Sequence, residues 1–466
     1  MEQQEQQQNV WRQEENVKGQ AQQRRSRKRK QPIGQRPTEE LNRSERLDQS
    51  EQPNRSEQPG RSEEQQQMIS KCRFSAGRRG YGAKNWKRAL LLVLATMLVT
   101  APLTLLVNYF FFEDPVVRKL RAVEAVVDRY FLYDIDQGLL ENAAAAGYLQ
   151  GLEDDYAYYY DPDAYAQKQQ SDQGQIVNFG ITIAIHPDTG LLTVAYVHRN
   201  SPAKQAGVQV GDVLTAINGV QLAGKTQQEC ADLIAKEEGT QLTVDIQRDG
   251  EALQLSTTLF TYEDDCVIWR KIGQTGYIKI TTFNDVTFGQ FEQALQDLQQ
   301  QNVTGLVFDL RNNLGGSVDA VCDVLDLLLP EGVPLRIQDK NGTITEAEYS
   351  DANGVDLPMS VLTNEYTASS AEIFCMNIRD FQQGELVGTT TYGKGIIQTT
   401  YTLYDETAVK ITTGQIVDRH GNSYHGTGLQ PDVEVEPDAV SQKYGVGVFC
   451  TDAQDVVLQT ALQTLR

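Results

Sequence analysis

The stretch 305-GLVFDLRNNLGGSVD-319 joins a buried strand to a helix through a polar turn. Its apolar run, interrupted only by Asp309, is typical of a strand covered on both faces, as in a parallel sheet flanked by helices. The helical pattern VDAVCDVLDLLL follows the turn at once. Because strands and helices also alternate elsewhere between Glu263 and about Pro437, the sequence predicts an α/β domain of catalytic size in this region.

The turn itself, Asn-Asn-Leu-Gly-Gly, contains Gly315 and Gly316. Backbone N–H groups exposed between a strand and a helix are a natural site for an oxyanion. A tight strand-to-helix connection would use the same residues, so the turn alone does not decide between the two interpretations.

Two adjacent serines lie downstream in 366-YTASSAEIF-374. Ser369, Ser370, Ala371 and Glu372 form the S-x-x-E pattern of a capping box, in which a hydroxyl accepts from a free helix N–H and the glutamate reaches back. A serine at a helix N-terminus also meets free N–H groups and a positive dipole end, which suit an attacking oxygen. The stretch therefore allows a helix cap, a nucleophile, or both.

A serine nucleophile needs a base, and the candidate is Lys394 in TTTYGKGIIQTTY. Along the strand that follows, Lys394, Ile396 and Gln398 share one face. Burial would depress the pKa of the lysine and let it act as a neutral general base, whereas a surface lysine in a flexible turn is the alternative. A serine–histidine arrangement remains open through His420 and His425, which lie in the polar stretch DRHGNSYHGTG.

Upstream, about Gly174 to Thr261, the period changes to that of strands. The combination SPA..AGV..GDVL..ING and the order of strands and short helices resemble a PDZ domain, a β-rich α+β fold. The resemblance implies that Phe179, Gly180 and Ile181 grip the C-terminal carboxylate of a peptide, which adds as a strand.

Taken together, TASSAEIF, VGTTTYGKGIIQ, the preceding DLRNNLGG and the following GTGLQPDVEVEP resemble the carboxyl-terminal processing peptidases, or tail-specific proteases, over about Val116 to Pro437. The resemblance implies a serine endopeptidase that needs no cofactor. Its nucleophile precedes its lysine by 25 positions, which selects Ser369 with Lys394, and Gln398 matches the glutamine that orients the lysine. The expected partners are proteins or peptides with accessible C-termini, and a homodimer is compatible with the family.

The resemblance further implies that the N–H of Ser370 and of a glycine in the pair Gly315 and Gly316 hold the oxyanion. Many members have proline where this chain has Leu314, and alanine where it has Ser370. A catalytically silent PDZ receptor or scaffold that binds C-terminal tails is the alternative function, although a silent protein has no need to keep Ser369, Lys394 and Gln398.

Residues 89–112 run for 24 residues without a charge, about 36 Å as a helix, which is enough for a bilayer core of roughly 30 Å. Lys84, Lys87 and Arg88 precede the run and acidic residues follow it. The positive-inside rule thus predicts a single-pass protein of the cell membrane, with a cytoplasmic N-terminus and an extracytoplasmic catalytic domain. A cleaved signal peptide is the alternative, disfavoured by the long leading segment.

Residues 1–88 carry 20 Lys+Arg against 12 Asp+Glu, a net charge of +8. Because the whole 466-residue chain has a formal net charge of −21, the remaining residues carry a net charge of −29. With few large apolar residues, residues 1–88 are expected to form a disordered basic cytoplasmic tail. The basic run at Arg24 to Lys30 could bind anionic lipid or nucleic acid, although a solvated tail beside a membrane also explains it. The acidic remainder is a poor nucleic-acid binder, so no nucleic-acid partner is expected, and scattered cysteines and histidines indicate no metal. The predicted fold is multidomain α/β, with these further segments: a helical segment (113–173), the PDZ domain (174–261), an α/β Ser-Lys peptidase domain (262–440) and a C-terminal helical segment (441–466).

Overall fold

The computed structural model describes residues 83–107, 114–186, 188–234, 237–351, 353–438 and 451–465. Residues 1–82 of the predicted disordered tail lie outside these ranges. Residues 441–450, the first ten of the predicted C-terminal segment, also lie outside them. The described residues divide into two compact units, one within residues 31–137 and one within residues 138–466.

The described ranges contain these helices: α1 (Ala83–Val107), α2 (Pro115–Tyr130), α3 (Gln137–Gln150), α4 (Pro162–Asp172), α5 (Pro202–Ala206), α6 (Gln227–Asp232), α7 (Thr287–Gln300), α8 (Val318–Asp326), α9 (Ser370–Asp380) and α10 (Val456–Thr464). They contain these strands: β1 (Tyr158–Tyr160), β2 (Gln175–Ile176), β3 (Ile181–Ile185), β4 (Leu192–Val197), β5 (Val213–Ile217), β6 (Val220–Gln221), β7 (Gln241–Arg248), β8 (Glu251–Thr258), β9 (Tyr262–Glu263), β10 (Val267–Ile272), β11 (Thr275–Ile280), β12 (Gly305–Asp309), β13 (Gly332–Gln338), β14 (Ile344–Ser350), β15 (Met359–Thr363), β16 (Gly384–Gly388), β17 (Ile396–Thr402), β18 (Ala408–Val417) and β19 (Val433–Glu434).

Helices α1 and α2 belong to the unit 31–137. Helix α2 begins at a cap, since the Asp114 carboxylate accepts the Val116 N–H at 2.7 Å. Among the described residues, no helix is both long enough and apolar enough to cross a bilayer. The membrane span predicted at 89–112 is therefore not confirmed, and its last five residues lie outside the described part of the chain.

In the other unit, an antiparallel sheet in the order β3-β4-β5-β7-β8, with β6 beside β5, forms a module of its own. Helix α5 begins at Ser201, whose hydroxyl accepts the Lys204 N–H, and ends at Gly207 in the left-handed conformation, as the pattern SPAKQAG predicts. The buried core of this module includes Phe179, Val194 and Val244. The short pair β2 and β9 joins the two ends of the module.

The α/β domain is built on the sheet β10-β11-β12-β15-β16-β19, parallel except for the pair β10 and β11. Strand β12 alternates as a doubly covered strand should: Leu306 and Phe308 enter the core with α7, α8 and α9, whereas Val307 packs with Val457 and Leu458 of α10 on the opposite face. The turn after β12 and the turn after β15 are therefore neighbours at one edge of the sheet.

A second, antiparallel sheet has the order β1-β18-β13-β14, with β17 beside β18. Strand β1 comes from the segment predicted to be helical, and the sequence pattern did not indicate it. Its residues pair with β18, Tyr158 opposite Lys410 and Tyr160 opposite Ala408. Through this pairing the segment before the PDZ-like module becomes part of the sheet that contains β17, which begins two residues after Lys394.

Candidate active site

Ser369 lies at the N-cap of α9, directly after a turn that leaves the buried strand β15. Its φ of 58° and ψ of −120° are unusual for a residue with a side chain, and such strain is concentrated at functional sites. Ser369 is half-buried, whereas Ser370 is fully buried and its hydroxyl donates to the Gly316 carbonyl at 2.9 Å. Only the first serine thus presents a hydroxyl that solvent can reach.

Glu372, fully buried in the first turn of α9, accepts hydrogen bonds from both halves of the site. One carboxylate oxygen, Oε2, accepts the backbone N–H of Ser369 at 2.9 Å and that of Lys394 at 2.8 Å. The other, Oε1, accepts the Thr391 hydroxyl at 2.5 Å and the Gly393 N–H at 2.7 Å. The predicted capping box is present, and its glutamate also holds the loop of the lysine.

Lys394 is half-buried, two residues before the start of β17. Burial lowers the pKa of its ammonium group, and the positive charge of Lys410 lowers it further, against the opposing effect of Asp154 and Glu372. Its Nζ lies over the ring of Tyr156, 4.7 Å from the ring centroid. The predicted partly desolvated lysine is therefore found, with a depressed pKa that suits a general base.

Gln398 follows Lys394 on β17, next to a bulge between Ile397 and Gln398. Its side-chain amide donates to the Thr412 hydroxyl at 3.3 Å, and no hydrogen bond to Lys394 is present in the described part of the chain. Thr412 in turn donates its N–H to Asp154 at 3.4 Å. Gln398 is thus linked through Thr412 to Asp154, which also acts on Lys394, but its own side chain makes no direct hydrogen bond to the lysine.

The glycine turn lies against Ser369. A Cβ on Gly315 would come within 2.7 Å of the Ala368 carbonyl and 2.8 Å of the Ser369 Cβ, so only glycine fits. The Gly315 N–H donates to the Asn313 side chain at 2.8 Å. The N–H groups of Gly316 and Ser370 have no hydrogen-bond partner within the described ranges. The turn thus brings unpaired donors to the N-terminus of α9, beside Ser369.

A buried ion network anchors the start of this turn. The Arg311 guanidinium contacts Asp309 at 2.7 Å and Asp455, the N-cap of α10, at 2.9 Å. Burial opposes ionisation of Asp309, but the charge and hydrogen bonds of Arg311 prevail and hold the pKa of Asp309 at about 2. Arg311, two residues after β12, is therefore fixed by a carboxylate at the N-cap of α10.

The glycine-containing loop of the motif GTGLQPDVEVEP supports the lysine. Leu429 accepts the Thr391 N–H at 3.1 Å and donates its own N–H to the Thr391 hydroxyl at 2.8 Å, while Gly426 donates to the Gly393 carbonyl at 2.8 Å. His425 is exposed in this loop, and its backbone packs against Gly395. One of the two histidines weighed as a base thus lies near the lysine loop.

Comparison with known proteins bears out the resemblance. Residues 274–435 match the model described as Peptidase family S41, and residues 193–248 match a PDZ domain model. The chain carries an S41 peptidase domain. A probable CtpA-like serine protease of Staphylococcus aureus is 27% identical over 367 residues, 76% of this chain and 73% of the relative. One of Staphylococcus haemolyticus is 26% identical over 381 residues, 79% and 76% of the two chains.

Among solved structures, the photosystem II D1 C-terminal processing protease is similar, with a TM-score of 0.45 and 26% identity over 72% of this chain and 92% of that one. A putative S41 protease from Bacteroides fragilis has a TM-score of 0.48 and 20% identity, over 62% and 82%. The family and sequence matches confirm the resemblance to the carboxyl-terminal processing peptidases and the prediction of a serine-type peptidase.

In the PDZ domain, the loop predicted to grip a carboxylate is buried at Phe179 and Gly180. Their carbonyls accept the N–H of Ala203 at 2.9 Å and of His198 at 3.0 Å. Their own N–H groups have no partner among the described residues, and Gly180 has a φ of +83°. Ile181 begins β3. The three residues are thus contiguous, with donors left unpaired at the edge of the sheet.

Sequence reasoning missed three residues of the S41 peptidase site. Glu372 was assigned to the helix cap alone, and neither Tyr156 nor Asp154 was singled out. The signal for Tyr156 was the aromatic run YAYYYDPDAY, whose apolar rings are poorly explained by a helix facing solvent. The contact could not be read from the sequence, because 238 positions separate Tyr156 from Lys394 and long-range contacts such as the pairing of β1 with β18 bring them together.

Proposed function

We propose that the S41 peptidase domain cuts protein substrates near their C-termini, with Ser369 as nucleophile and Lys394 as general base. The observation that carries this proposal is the shared carboxylate oxygen of Glu372, which ties the backbones of Ser369 and Lys394 to one point. The accessible Ser369 and the depressed pKa of Lys394 support the same roles.

In the first step, the neutral amine of Lys394 takes the proton of the Ser369 hydroxyl while the oxygen attacks the scissile carbonyl. The tetrahedral oxyanion accepts hydrogen bonds from the Ser370 N–H and from a glycine of the turn Gly315-Gly316, at the positive end of α9. Lys394 then gives the proton to the leaving amine, and the C–N bond breaks to leave an acyl-enzyme.

In the second step, water attacks the ester carbonyl and Lys394 takes its proton, so that the acyl group leaves as a carboxylic acid and Ser369 regains its proton. Gln398 and Thr412 line the lysine side of the site and would orient Lys394 when substrate is bound. The Ser370 hydroxyl, which donates to Gly316, keeps the turn ordered where many relatives have alanine.

The PDZ domain would select the tail. Phe179, Gly180 and Ile181 would donate backbone N–H groups to the terminal carboxylate of the substrate while its last residues add to the sheet as a strand. A silent PDZ receptor is not favoured, because the S41 match and the serine-protease relatives point to an enzyme.

A direct test incubates the full-length chain with an unstructured protein and follows the fragments by mass spectrometry. We expect cleavage near the C-terminus, at least 1,000-fold slower after Ser369→Ala or Lys394→Ala because nucleophile and base are lost. Ser370→Ala and His425→Ala are expected to keep cleaving. Amidation of the substrate's terminal carboxylate should raise KM, since it removes the charge that the PDZ loop recognises.

Two results would refute parts of this proposal. Cleavage that survives Lys394→Ala but is lost in His425→Ala would replace the Ser-Lys dyad with a Ser-His arrangement. A wild-type chain that binds the free tail and leaves every substrate whole would favour the receptor.

The proposed location is the cell membrane, with the catalytic domain outside the cytoplasm. It depends on the uncharged run 89–112 and on Lys84, Lys87 and Arg88 before it. Carbonate washing of membranes tests the anchor: an integral protein stays in the pellet, and release into the wash would remove the proposal. A homodimer is a separate proposal, and light scattering in detergent would distinguish it from one chain of 52.1 kDa.

A further inference from the structure

The ring of Tyr156 lies beside the Lys394 amine. Nζ lies 4.7 Å from the ring centroid, within the range of a cation–π contact. Tyr156 is half-buried, and Lys394 has neither an ion pair nor a side-chain hydrogen bond among the described residues. The aromatic face is therefore the specific contact that the structure gives this amine.

Three features hold the ring there. Asp154 accepts the Tyr156 N–H at 3.0 Å and forms a tight turn. Strand β1 follows two residues later and pairs with β18, the neighbour of β17. The third feature is a side-chain hydrogen bond between the hydroxyls of Tyr156 and Tyr392, which lies two residues before Lys394. Burial raises the pKa of the Tyr156 hydroxyl, and this hydrogen bond raises it further. The loop is thus joined to both sides of the lysine.

We infer that Tyr156 is a positioning residue for the catalytic base: its ring places the Lys394 amine and shields it from water, so that the segment preceding the PDZ domain completes the active site. This inference rests on the proposed role of Lys394. It assigns a role in catalysis to the segment 153–160, which contributes no group that reacts with substrate.

The ring exerts two opposed electrostatic effects on the lysine. Its face favours the ammonium form, whereas its bulk excludes water and favours the neutral amine. Burial is the largest cause of the depressed pKa of Lys394, so we expect removal of the shielding ring to raise that pKa. The charged groups facing the amine are Lys410 on β18, Asp154 in the loop and Glu372 on α9, and the Tyr392 hydroxyl lies beside the ring.

The experiment compares Tyr156→Leu with Tyr156→Phe in the full-length chain, with kcat and KM measured from pH 5 to 10 on the unstructured substrate. Leucine removes the aromatic face and leaves water access to the amine. We expect kcat to fall at least tenfold near neutral pH, with little change in KM, and the acid limb of the profile to move to higher pH. Phenylalanine keeps the ring and should restore kcat to within about threefold of wild type, the size of one weak hydrogen bond.

Tyr148→Leu is the matched control, because Tyr148 is an exposed tyrosine of α3, shortly before the segment 153–160. This variant should behave as wild type. Thermal unfolding of each variant identifies a folding defect, which would not be rescued selectively by phenylalanine. Wild-type kcat and an unmoved acid limb in Tyr156→Leu would overturn the inference, as would an equal loss in Tyr156→Phe. If Lys394→Ala stays active, the proposed function itself fails; if Lys394→Ala is inactive and Tyr156→Leu is not, only the role of Tyr156 fails.

Discussion

Ser369 and Lys394, 25 positions apart in the chain, donate their backbone N–H groups to the same oxygen, Oε2 of Glu372, at 2.9 Å and 2.8 Å. The helix that begins after Ser369 and the loop that contains Lys394 are thus joined at one buried point. Glu372 accepts hydrogen bonds from four donors and forms no ion pair among the described residues.

Replacing this carboxylate should disable the enzyme while keeping its shape. In Glu372→Gln one oxygen becomes an NH₂ group, which cannot accept from the donors on its side. We expect kcat to fall at least tenfold and the free energy of unfolding to fall by about 1–3 kcal/mol, the penalty for buried donors without acceptors. Cleavage assays and urea unfolding measure the two effects.

The matched control is Glu385→Gln, on an exposed position of β16, which should change neither quantity. A Glu372→Gln enzyme that cleaves at the wild-type rate would show that the common acceptor is dispensable for the geometry of the dyad.

The charges around Lys394 should set the pH at which the enzyme becomes active. Because the base works as a neutral amine, activity rises as pH rises through its pKa. Lys410 depresses that pKa and Asp154 raises it. Lys410→Met should therefore move the acid limb of kcat/KM to higher pH and lower activity near neutrality by about threefold, as a partly screened charge would. Asp154→Asn should move the limb to lower pH.

Opposite shifts in these two variants are the decisive result, since a nonspecific disturbance would move both limbs the same way. Lys340→Met, an exposed lysine in the turn between β13 and β14, serves as the charge-matched control. Identical profiles in all three variants would mean that the titrating base is not Lys394.

The glycine turn makes a steric prediction. Gly315 has a φ of +98°, and a methyl group there would press on the Ala368 carbonyl and on Ser369. Gly315→Ala should abolish cleavage, with a cost in stability of about 1–3 kcal/mol from the strained backbone. Gly289→Ala, in helix α7 with open space around it, should be stable or slightly more so. An active Gly315→Ala enzyme would show that the turn is not tightly packed against the nucleophile.

Local patterns in the sequence were enough for the elements that lie within one stretch. The apolar run before Asp309 predicts the buried strand, the S-x-x-E pattern predicts the cap with Glu372, and the pattern SPAKQAG predicts a helix closed by Gly207. Each depends on interactions between residues at most a few positions apart, and these are the ones that periodicity and capping rules describe.

Contacts between distant segments were beyond such rules. Three tyrosines in a helix-rich segment gave no indication of pairing with β18, and the charge of Asp455 gave none of its ion pair with Arg311, 144 positions away. The direction in which Gln398 points depends on a bulge in β17, which alternation along a strand cannot predict. Side-chain pairing across sheets is decided by packing of the whole domain.

The ion network at Arg311 provides a last prediction, on stability. In the wild type, Asp309 has a folded-state pKa of about 2 against an ordinary value of 3.8, so its contribution is complete above about pH 4 and is lost as pH falls toward 2. Arg311→Leu leaves Asp309 and Asp455 buried without their cation. We expect the free energy of unfolding near neutrality to fall by about 3–5 kcal/mol.

The pH dependence of that loss tests its cause. Without Arg311, only the smaller effects of Lys279 and of the Tyr277 hydroxyl still oppose burial, so we expect the pKa of Asp309 to rise and protonation to relieve the folded state. The difference in unfolding free energy between wild type and Arg311→Leu should therefore narrow as pH falls from 7 to 4. Arg336→Leu, which breaks a partly exposed pair with Glu346, should cost about 1 kcal/mol or less. A deficit independent of pH would mean that Arg311 contributes packing and not charge.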